Sequence, residues 1–353
     1  MNKNELQQRL RSVITKKRIV MAAILFIVVP IIIIGELIAL YALYPGPKHE
    51  EESVVVDIPK GSSTREIGNR LAAAGVIKDD IRFLLLAKIS GYAGRLQAGE
   101  FLFETGKRPL TVLKTLATAR SIQYSITIPE GLRASEIAAI FSEGGWSHRN
   151  SFANLVVDKQ FIAKLGLSGV DSLEGYLYPD TYLLTKDLRG ADKLIGLMVG
   201  RFNKVWSEIT ADLEEKPDRE KTVILASIVE KETGAASERP LIAGVFLNRL
   251  QLGMRLQSDP TVVFGLSNHS GPITRLNLTT PTPYNTYVIP GLPAGPICNP
   301  GRASMMAVLN PASTKDLYFV SKNDGSHHFS ADLNEHNNAV QKYQRKKNGG
   351  NGK

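Results

Sequence analysis

One long apolar run near the N-terminus constrains the possible folds of this chain more than any other feature of its sequence. Residues 19–44 read IVMAAILFIVVPIIIIGELIALYALY, and Glu36 is their only charge. Because about 20 apolar residues cross a bilayer as a helix, we expect one transmembrane helix here. Six basic residues precede it, so the positive-inside rule places residues 1–18 in the cytoplasm and residues from 45 onward outside. A cleaved signal peptide is the alternative, but its apolar core would be shorter and end in small residues, which favours an uncleaved anchor.

The composition of the remaining chain is typical of folded domains. The length of 353 residues suggests about two domains beyond the membrane helix. The hydrophobic content of 43% is enough to form their cores. Much of its net charge of +9 lies at the two ends, and residues 346–353 are expected to form a basic flexible tail. The net positive charge suits binding to an anionic polymer such as nucleic acid or cell-wall material, but it does not distinguish between them. The single cysteine, Cys298, excludes an intramolecular disulfide and a multi-cysteine metal site.

A weak internal repeat follows a polar linker at residues 45–53. Residues 57–76 (DIPKGSSTREIGNRLAAAGV) resemble residues 127–146 (TIPEGLRASEIAAIFSEGGW). Each copy predicts a short strand, an Ile-Pro-x-Gly turn and an amphipathic helix that ends at glycine. Between the copies, IRFLLLAKI at 81–89 predicts a buried helix and AGEFLFET at 98–105 predicts a strand. This β-α-α-β order looks like a LysM-type module, which either binds cell-wall glycan or keeps only the shape.

Beyond residue 150 the sequence changes to longer helices and loops. Residues 280–302 hold a third of the chain's 18 prolines, which disfavours a helix or a central strand and predicts an extended loop. Long loops in compact domains are often functional. LYFVSKNDGSHHF at 317–329 predicts an edge hairpin. No GxGxxG, Walker, HExxH or GxSxG motif occurs in a meaningful context, so no nucleotide or other cofactor is predicted.

The stretch SIVEKETG at 227–234 places two glutamates at the end of an apolar run. The sequence DREKTVILASIVEKETG predicts a helix with Asp218 as its N-cap and Gly234 as its stop. Glu232 then lies over the more apolar row of the helix, while Glu230 lies over smaller residues. Burial and the negative end of the helix dipole both raise a carboxyl pKa, and a glutamate protonated near neutral pH is what a general acid requires. The alternative is that both glutamates pair with surface cations at a solvated helix end.

Polar and aromatic residues downstream of this helix are candidates for substrate contact. ERPLIAGVFLNRLQLG predicts a second helix followed by the polar turn QSDP. Because Asp259 precedes a proline, it is expected to project from a turn rather than to be helical. The tyrosines of PYNTY offer flat faces and hydroxyls suited to stacking on sugars, although packing within the loop is the alternative. The candidate substrate-binding residues are Asn248, Gln257, Asp259, Tyr284, Asn285 and Tyr287.

Taken together, these motifs resemble one family. SIVEKETG, ERPLIAGVFLNRLQLGMRLQSDPTVVFGL, LEGYLYPDTY and PTPYNTYVIPGLPAGPICNPG resemble the YceG/MltG-like endolytic murein transglycosylases, over roughly residues 45–345. The resemblance implies an α+β protein with a single N-terminal transmembrane helix, a small LysM-like module and a larger mixed α+β catalytic domain. The expected boundaries are 1–18 for the cytoplasmic N-terminus, 19–44 for the transmembrane helix, 45–125 for the linker and module, 126–345 for the catalytic domain with the second repeat copy, and 346–353 for the tail.

The resemblance also implies a reaction, the cleavage of the MurNAc-β-1,4-GlcNAc bond inside nascent peptidoglycan strands. The 6-hydroxyl of MurNAc attacks its own C1 and leaves a 1,6-anhydro end, which would terminate strand elongation. One carboxyl group can act as acid and then as base, and the position in the EKET motif assigns this role to Glu232, with Glu230 second. A water-using muramidase would normally need a second carboxylate, for which Asp259 and Glu174 are candidates.

The resemblance further sets the expected location and partners. The protein is expected in a bacterial plasma membrane, with a cytoplasmic N-terminus and an extracytoplasmic catalytic domain. Its partners would be peptidoglycan strands and the membrane, with peptidoglycan synthases as a further hypothesis and no nucleic acid. His328 and His336 are expected to serve as hydrogen-bonding groups, so no metal is predicted. The rival hypothesis from another class is a non-enzymatic, glycan-binding membrane scaffold.

Overall fold

The computed structural model describes residues 15–48, 50–78, 81–266 and 271–345. The chain divides into two units: unit 1 comprises residues 1–124 and 185–187, and unit 2 comprises the rest. Both units contain helices and strands, so the predicted mixed α+β class is confirmed. The predicted basic tail lies outside the described residues, as does most of the basic N-terminus. The likeness of the first module to LysM stays a prediction.

Helix α1 (Thr15–Leu43) contains the apolar run of the sequence apart from its last residue, Tyr44. Its backbone is π-helical at Ile24–Val28. It is the one helix in the described part of the chain that is long and apolar enough to cross a membrane. Its side chains are exposed from Thr15 to Leu37, which distinguishes it from the buried core helix of a soluble protein. Burial begins near its C-terminal end, at Ile38, Tyr41 and Ala42.

The remainder of unit 1 is a two-stranded antiparallel sheet with three helices. Its elements are β1 (Ser53–Ile58), α2 (Thr64–Ala73), α3 (Ile81–Ile89), β2 (Gly99–Glu104) and α4 (Pro109–Thr118). In the sheet, Val56 lies opposite Phe101. Helix α2 begins after Ser63 because the Ser63 hydroxyl accepts a hydrogen bond from the Glu66 amide. The predicted order strand, helix, helix, strand is present, but the expectation that α3 is buried is wrong for the face that carries Ile81, Leu85 and Ile89.

The two sequence repeats adopt the same local backbone. In the Ile-Pro-x-Gly turns, Gly61 and Gly131 have φ of 83° and 77°. At the helix ends, Gly75 and Gly145 have φ of 70° and 69°. Left-handed backbone of this kind favours glycine over any residue with a Cβ. The repeat therefore reflects two strand-turn-helix segments of the same design, one in each unit.

Unit 2 is mainly helical, with two small sheets. Its elements are β3 (Tyr124–Thr127), α5 (Ala134–Glu143), α6 (Arg149–Val156), α7 (Lys159–Lys164), β4 (Thr181–Leu184), α8 (Ala191–Ile209), α9 (Arg219–Glu232), α10 (Arg239–Gln251), α11 (Asp259–Gly265), α12 (Arg275–Thr279), α13 (Arg302–Leu309), β5 (Tyr318–Ser321), β6 (His327–Ser330) and α14 (Leu333–Val340). Strand β3 pairs with β4, and β5 pairs with β6. The second pair is the predicted hairpin, with Tyr318 opposite Ser330.

Helix α9 is central to unit 2 because it contributes to two apolar cores. Val223 and Ala226 pack in the core formed mainly by α5, α6 and α8. Leu225, Ile228 and Val229 pack in a second core with residues of α10, α11 and α13. A helix held on two sides in this way is a rigid support for side chains at its end.

The segment between α12 and α13 is an extended loop, as predicted. Residues 281–301 contain no helix or strand. The expectation that Asp259 lies in a turn is wrong, since α11 begins at Asp259. The following residue, Pro260, is tolerated in the first helical turn because the amides there have no partner within the helix in any case.

Candidate active site

Helix α9 ends at Glu232, the residue that sequence reasoning ranked first. Asp218 caps its start by accepting a hydrogen bond of 3.1 Å from the Lys221 amide. Eight consecutive residues, from Thr222 to Val229, are buried. The helix stops because Thr233 is extended, with its hydroxyl donating to the Val229 carbonyl at 2.6 Å. The predicted cap is confirmed, and the helix ends two residues before Gly234.

The Glu232 carboxyl group is partly exposed and is held by one hydrogen bond. Ser258 Oγ donates to Glu232 Oε1 at 2.6 Å. Among the described residues, no hydrogen bond reaches the other oxygen, Oε2. Burial raises the pKa of Glu232, the bond from Ser258 opposes that rise, and the nearby charge of Asp259 adds to it. The charges of His327 and Arg249 act in the lowering direction. The result is a raised pKa, as a general acid requires.

Ser258 owes its position to a network that joins the QSDP turn to the proline-rich loop. Its amide donates to Thr286 Oγ1 at 3.0 Å, and its carbonyl accepts from Thr261 Oγ1 at 2.6 Å. The hydroxyls of Thr261 and Thr286 lie 2.8 Å apart. Gln257 has a φ of 50° and donates its amide to the Thr286 carbonyl at 3.1 Å. The side chain of Gln257 is exposed beside this network.

Asp259 and Tyr287 form a second polar pair beside Glu232. Tyr287 Oη donates to Asp259 Oδ1 at 2.7 Å. Burial raises the pKa of Tyr287, and its bond to Asp259 and the charges of Asp259 and Glu232 raise it further. The structure thus brings two of the predicted binding residues, Asp259 and Tyr287, to the candidate acid.

Arg249 is a buried cation behind the acid. Its Nε donates to the Leu317 carbonyl at 2.6 Å and its Nη1 to the Leu256 carbonyl at 2.7 Å. The guanidinium lies 5.3 Å from the centre of the Tyr318 ring. Burial lowers the pKa of Arg249, while the charges of Tyr318, Tyr287 and Glu232 raise it. These contacts fix β5 and the turn before α11 around the end of α9.

Three of the predicted binding residues, Asn248, Tyr284 and Asn285, make contacts with neighbouring segments of unit 2. Asn248 Nδ2 donates to the carbonyls of Thr314 and Asp316 at 2.9 and 3.1 Å, which anchors the segment before β5. Asn285 is fully buried, and the two N–H groups of its side chain are shared among three carbonyl oxygens within 3.2 Å of Nδ2. They belong to Asn277, Leu278 and Thr280. Tyr284 packs on Phe264, with ring centres 4.7 Å apart.

Glu230, the second-ranked acid, is engaged in other contacts. Its Oε2 accepts from the Gly301 amide at 3.0 Å, and its Oε1 lies 3.6 Å from Arg239 Nη2. The side chain is only 8% exposed. Burial, and then the charge of Glu230, raises the pKa of the neighbouring Glu130. Because residues two apart in a helix point about 200° away from each other, Glu230 and Glu232 face different surroundings.

Glu174, a candidate second carboxylate, lies at the start of α5. Its two oxygens accept from the Ala134 amide at 3.0 and 3.1 Å, and Asn299 Nδ2 donates to Oε1 at 2.9 Å. Burial raises the pKa of Glu174 to about 7 against the lowering effect of these bonds. With all of its contacts in the interior, Glu174 holds α5 to the proline-rich loop.

His327 and His328 lie in β6, and His336 lies in α14. His327 Nδ1 is 2.7 Å from Glu238 Oε2, and the His327 amide donates to Glu238 Oε1 at 3.0 Å. His328 Nε2 lies 3.6 Å from Glu335, and His336 stacks on Tyr318. Within residues 15–48, 50–78, 81–266 and 271–345, no three His, Cys, Asp or Glu residues are grouped to hold a metal ion.

Glu232 has a raised pKa, accepts a hydrogen bond from one hydroxyl, and has a second oxygen to which the described residues donate none. These are properties of a carboxyl group suited to acid–base catalysis. The sequence comparisons then identify the family. The model of the YceG-like family matches residues 56–342, so the chain belongs to that family.

The relatives of known name cover most of the chain. An endolytic murein transglycosylase of Bacillus subtilis strain 168 is 33% identical over 322 residues, which is 87% of this chain and 89% of that protein. An endolytic murein transglycosylase of Streptococcus pneumoniae serotype 2 strain D39 is 28% identical over 331 residues, 85% of this chain and 60% of that protein. The crystal structure of a YceG-like protein from Listeria monocytogenes matches with a TM-score of 0.56 and 30% identity, covering 81% of this chain and 98% of that one.

Proposed function

We propose that this protein is an endolytic lytic transglycosylase that cleaves the MurNAc-β-1,4-GlcNAc bond of nascent peptidoglycan strands. The environment of the Glu232 carboxyl group is the observation that assigns the acid–base role to this residue. Its pKa is raised by burial, Ser258 holds one oxygen at 2.6 Å, and the other oxygen receives no hydrogen bond from the described residues. The family and the names of its members support the reaction class.

Glu232 acts in both halves of the reaction. In the first half, the protonated carboxyl gives its proton to the glycosidic oxygen as the bond from that oxygen to C1 of MurNAc breaks. In the second half, the 6-hydroxyl of the same MurNAc attacks C1, and the Glu232 carboxylate takes the hydroxyl proton. The products are a 1,6-anhydro-MurNAc end and a free 4-hydroxyl on GlcNAc, and the carboxyl group is protonated again. A single group suffices because the nucleophile belongs to the substrate.

The groups around Glu232 support this cycle. Asp259 is a nearby negative charge that raises the pKa of Glu232, and it also suits stabilisation of positive charge developing at C1. Tyr287 holds Asp259 through its hydroxyl. Gln257, whose exposed side chain directly precedes Ser258 in the chain, remains the candidate for substrate contact. We assign Asn248, Tyr284 and Asn285 to the structure of the site rather than to sugar contact.

We also propose a location and partners for this protein. Helix α1 would anchor the protein in a bacterial plasma membrane, with residues 1–18 in the cytoplasm and residues from 45 onward outside. Residues 45–125 would form a linker and a LysM-like module, and residues 126–345 the catalytic domain. Anchoring beside membrane-bound synthases would let the enzyme terminate growing strands, so we also propose peptidoglycan synthases as partners.

Product analysis with two matched variants tests the reaction. The full-length protein in detergent is incubated with purified peptidoglycan, and the released fragments are analysed by mass spectrometry. We expect fragments lighter by one water, the mark of anhydro ends. Glu232→Gln should lower their rate of formation by about 10²–10⁴-fold. Glu230→Gln, the same change two residues away, should preserve the reaction and the product.

Other outcomes would point to other functions. Loss of activity in folded Glu230→Gln with retention in Glu232→Gln would transfer the role to Glu230. Reducing ends would indicate a water-using muramidase, a second candidate that the proximity of Asp259 to Glu232 favours. Binding of glycan without cleavage by the wild-type protein would support the non-enzymatic scaffold.

A further inference from the structure

Helix α3 carries an apolar stripe that the described residues of unit 1 leave exposed. Ile81, Leu85 and Ile89 are 64%, 38% and 70% exposed. Residues four apart share a helix face, so the three form one continuous row. The opposite face, with Phe83 and Leu86, is buried in the core of unit 1. A row of large aliphatic side chains in water is costly and marks a surface with a partner.

The stripe lies beside the end of α1. Ile38 and Tyr41 of α1 are buried in the same core as Phe83 and Leu86 of α3. On α3, Arg82 borders the apolar stripe, and its guanidinium lies 4.9 Å from the centre of the Tyr41 ring. The edge of the stripe therefore adjoins the last turns of the apolar helix.

The length of α1 places this junction at a membrane surface. The 19 residues from Ile19 to Leu37 are exposed, so the other described residues of unit 1 do not bury them. At about 1.5 Å per residue they extend about 28 Å, which matches the hydrocarbon thickness of about 30 Å. The burial that begins at Ile38 thus coincides with the outer boundary of the hydrocarbon.

Basic and aromatic groups flank the stripe. Arg82 borders it on one side and Lys88 on the other, as expected from their positions on the helix. Lys78, Arg82, Tyr41 and Tyr44 line a cavity of about 140 Å³ at the end of α1. Tyrosine and basic side chains are typical of the headgroup region, where they contact water and lipid phosphates. Asp79 and Asp80, which precede the helix, lie outside the described residues.

We propose that α3 lies in the outer interface of the bilayer as a second membrane contact. Ile81, Leu85 and Ile89 enter the boundary of the acyl chains, while Arg82 and Lys88 contact lipid phosphates. This inference rests on the membrane-anchoring part of the proposed function. The last turns of α1 already pack in the core of unit 1, and a second contact through α3 fixes unit 1 in one orientation at the membrane surface.

Site-directed spin labels on the full-length protein in lipid nanodiscs test the proposal. Separate labels are attached at Ile89→Cys on the stripe, at Asn69→Cys on the exposed face of α2, and at Ile33→Cys in the middle of α1. The native Cys298 can remain, since it is fully buried and burial raises the pKa of its thiol. Collision with oxygen, which concentrates in lipid, is compared with collision with a water-soluble nickel chelate.

We expect the label at Ile89 to collide preferentially with oxygen, as the label at Ile33 does, and the label at Asn69 to collide preferentially with nickel. A label at Ile89 that behaves like the one at Asn69 would overturn the proposal. Shielding from both reagents would also overturn it, because the stripe would then be covered by protein. Nickel access at Ile33 would refute the membrane anchor itself, and the proposal with it. None of these readings depends on enzymatic activity, so the catalytic assignment is tested separately.

Discussion

The hydrogen bond between Ser258 and Glu232 offers the sharpest test of the site. Ser258→Ala removes the only hydroxyl that the described residues give to this carboxyl group. The substitution leaves the start of α11 intact, because the Ser258 side chain makes no capping hydrogen bond to that helix. The effect should therefore fall on Glu232 rather than on the fold.

The size of the effect follows from the kind of bond. Hydrogen bonds to charged groups contribute about 1.5–3 kcal/mol, and each ~1.36 kcal/mol is tenfold in rate. If the bond positions the carboxyl in the transition state, kcat should fall by about 10- to 100-fold with little change in KM. The bond lowers the pKa of Glu232, so its loss should raise that pKa. The first half of the reaction needs the protonated form, so the alkaline limb of the pH profile should move to higher pH.

Initial rates of anhydro-product formation over a range of pH measure both effects. Ser258→Thr keeps the hydroxyl and should restore most of the rate and the position of the alkaline limb. Thermal unfolding of each variant verifies that it is folded. Unchanged kcat and pH profile in folded Ser258→Ala would refute the role assigned to this bond, and a rise in KM alone would indicate a binding role instead.

Three further changes test other parts of the structure. Folding raises the pKa of Glu232 above 4.5, so ionisation of this carboxyl group lowers the free energy of unfolding as the pH rises above that value. Glu232→Gln cannot ionise and should therefore be more stable than wild type near pH 8, but not near pH 4. Urea unfolding at the two pH values measures the difference. Tyr287→Phe removes the donor to Asp259 and should lower kcat by about tenfold while the products keep anhydro ends; reducing ends would show that Asp259 had begun to activate water. Gly175→Ala should destabilise the protein by about 2–4 kcal/mol, since φ is 87° and a Cβ would lie 2.6 Å from Pro296; unchanged urea unfolding would contradict this packing.

Features of the fold that depend on local sequence were predictable. The Asp218 cap, the two Ile-Pro-x-Gly turns and the β5–β6 hairpin each depend on a few neighbouring residues. The exposure of one face of α3 was not predictable in this way. Its sequence is apolar on nearly all sides, and only the small size of unit 1 and the position of α1 determine which face remains uncovered.

The candidate site likewise contains some features that local sequence predicts and others that it does not. Glu232 could be ranked above Glu230 from the apolar row beneath it, which is a property of one helix. Ser258 was missed because its hydroxyl meets Glu232 across 26 residues of sequence, and a serine in a polar turn is common. Asn285 is a predicted binding residue, and an asparagine between tyrosines gives no sign in the sequence of the carbonyls of Asn277, Leu278 and Thr280 that its side-chain nitrogen contacts.

The second repeat copy contributes directly to the support of the site. The amide of Gly131 donates to the Asn299 carbonyl at 2.9 Å, and Lys231 Nζ donates to the Gly131 carbonyl at 3.4 Å. A Cβ at residue 131 would lie 3.5 Å from the Glu230 side chain, so the turn packs closely on the last turns of α9. In the first copy, by contrast, a Cβ at Gly61 would meet nothing within 4 Å. The same turn therefore braces the last turns of α9 in unit 2, whereas in unit 1 it leaves open space at its glycine.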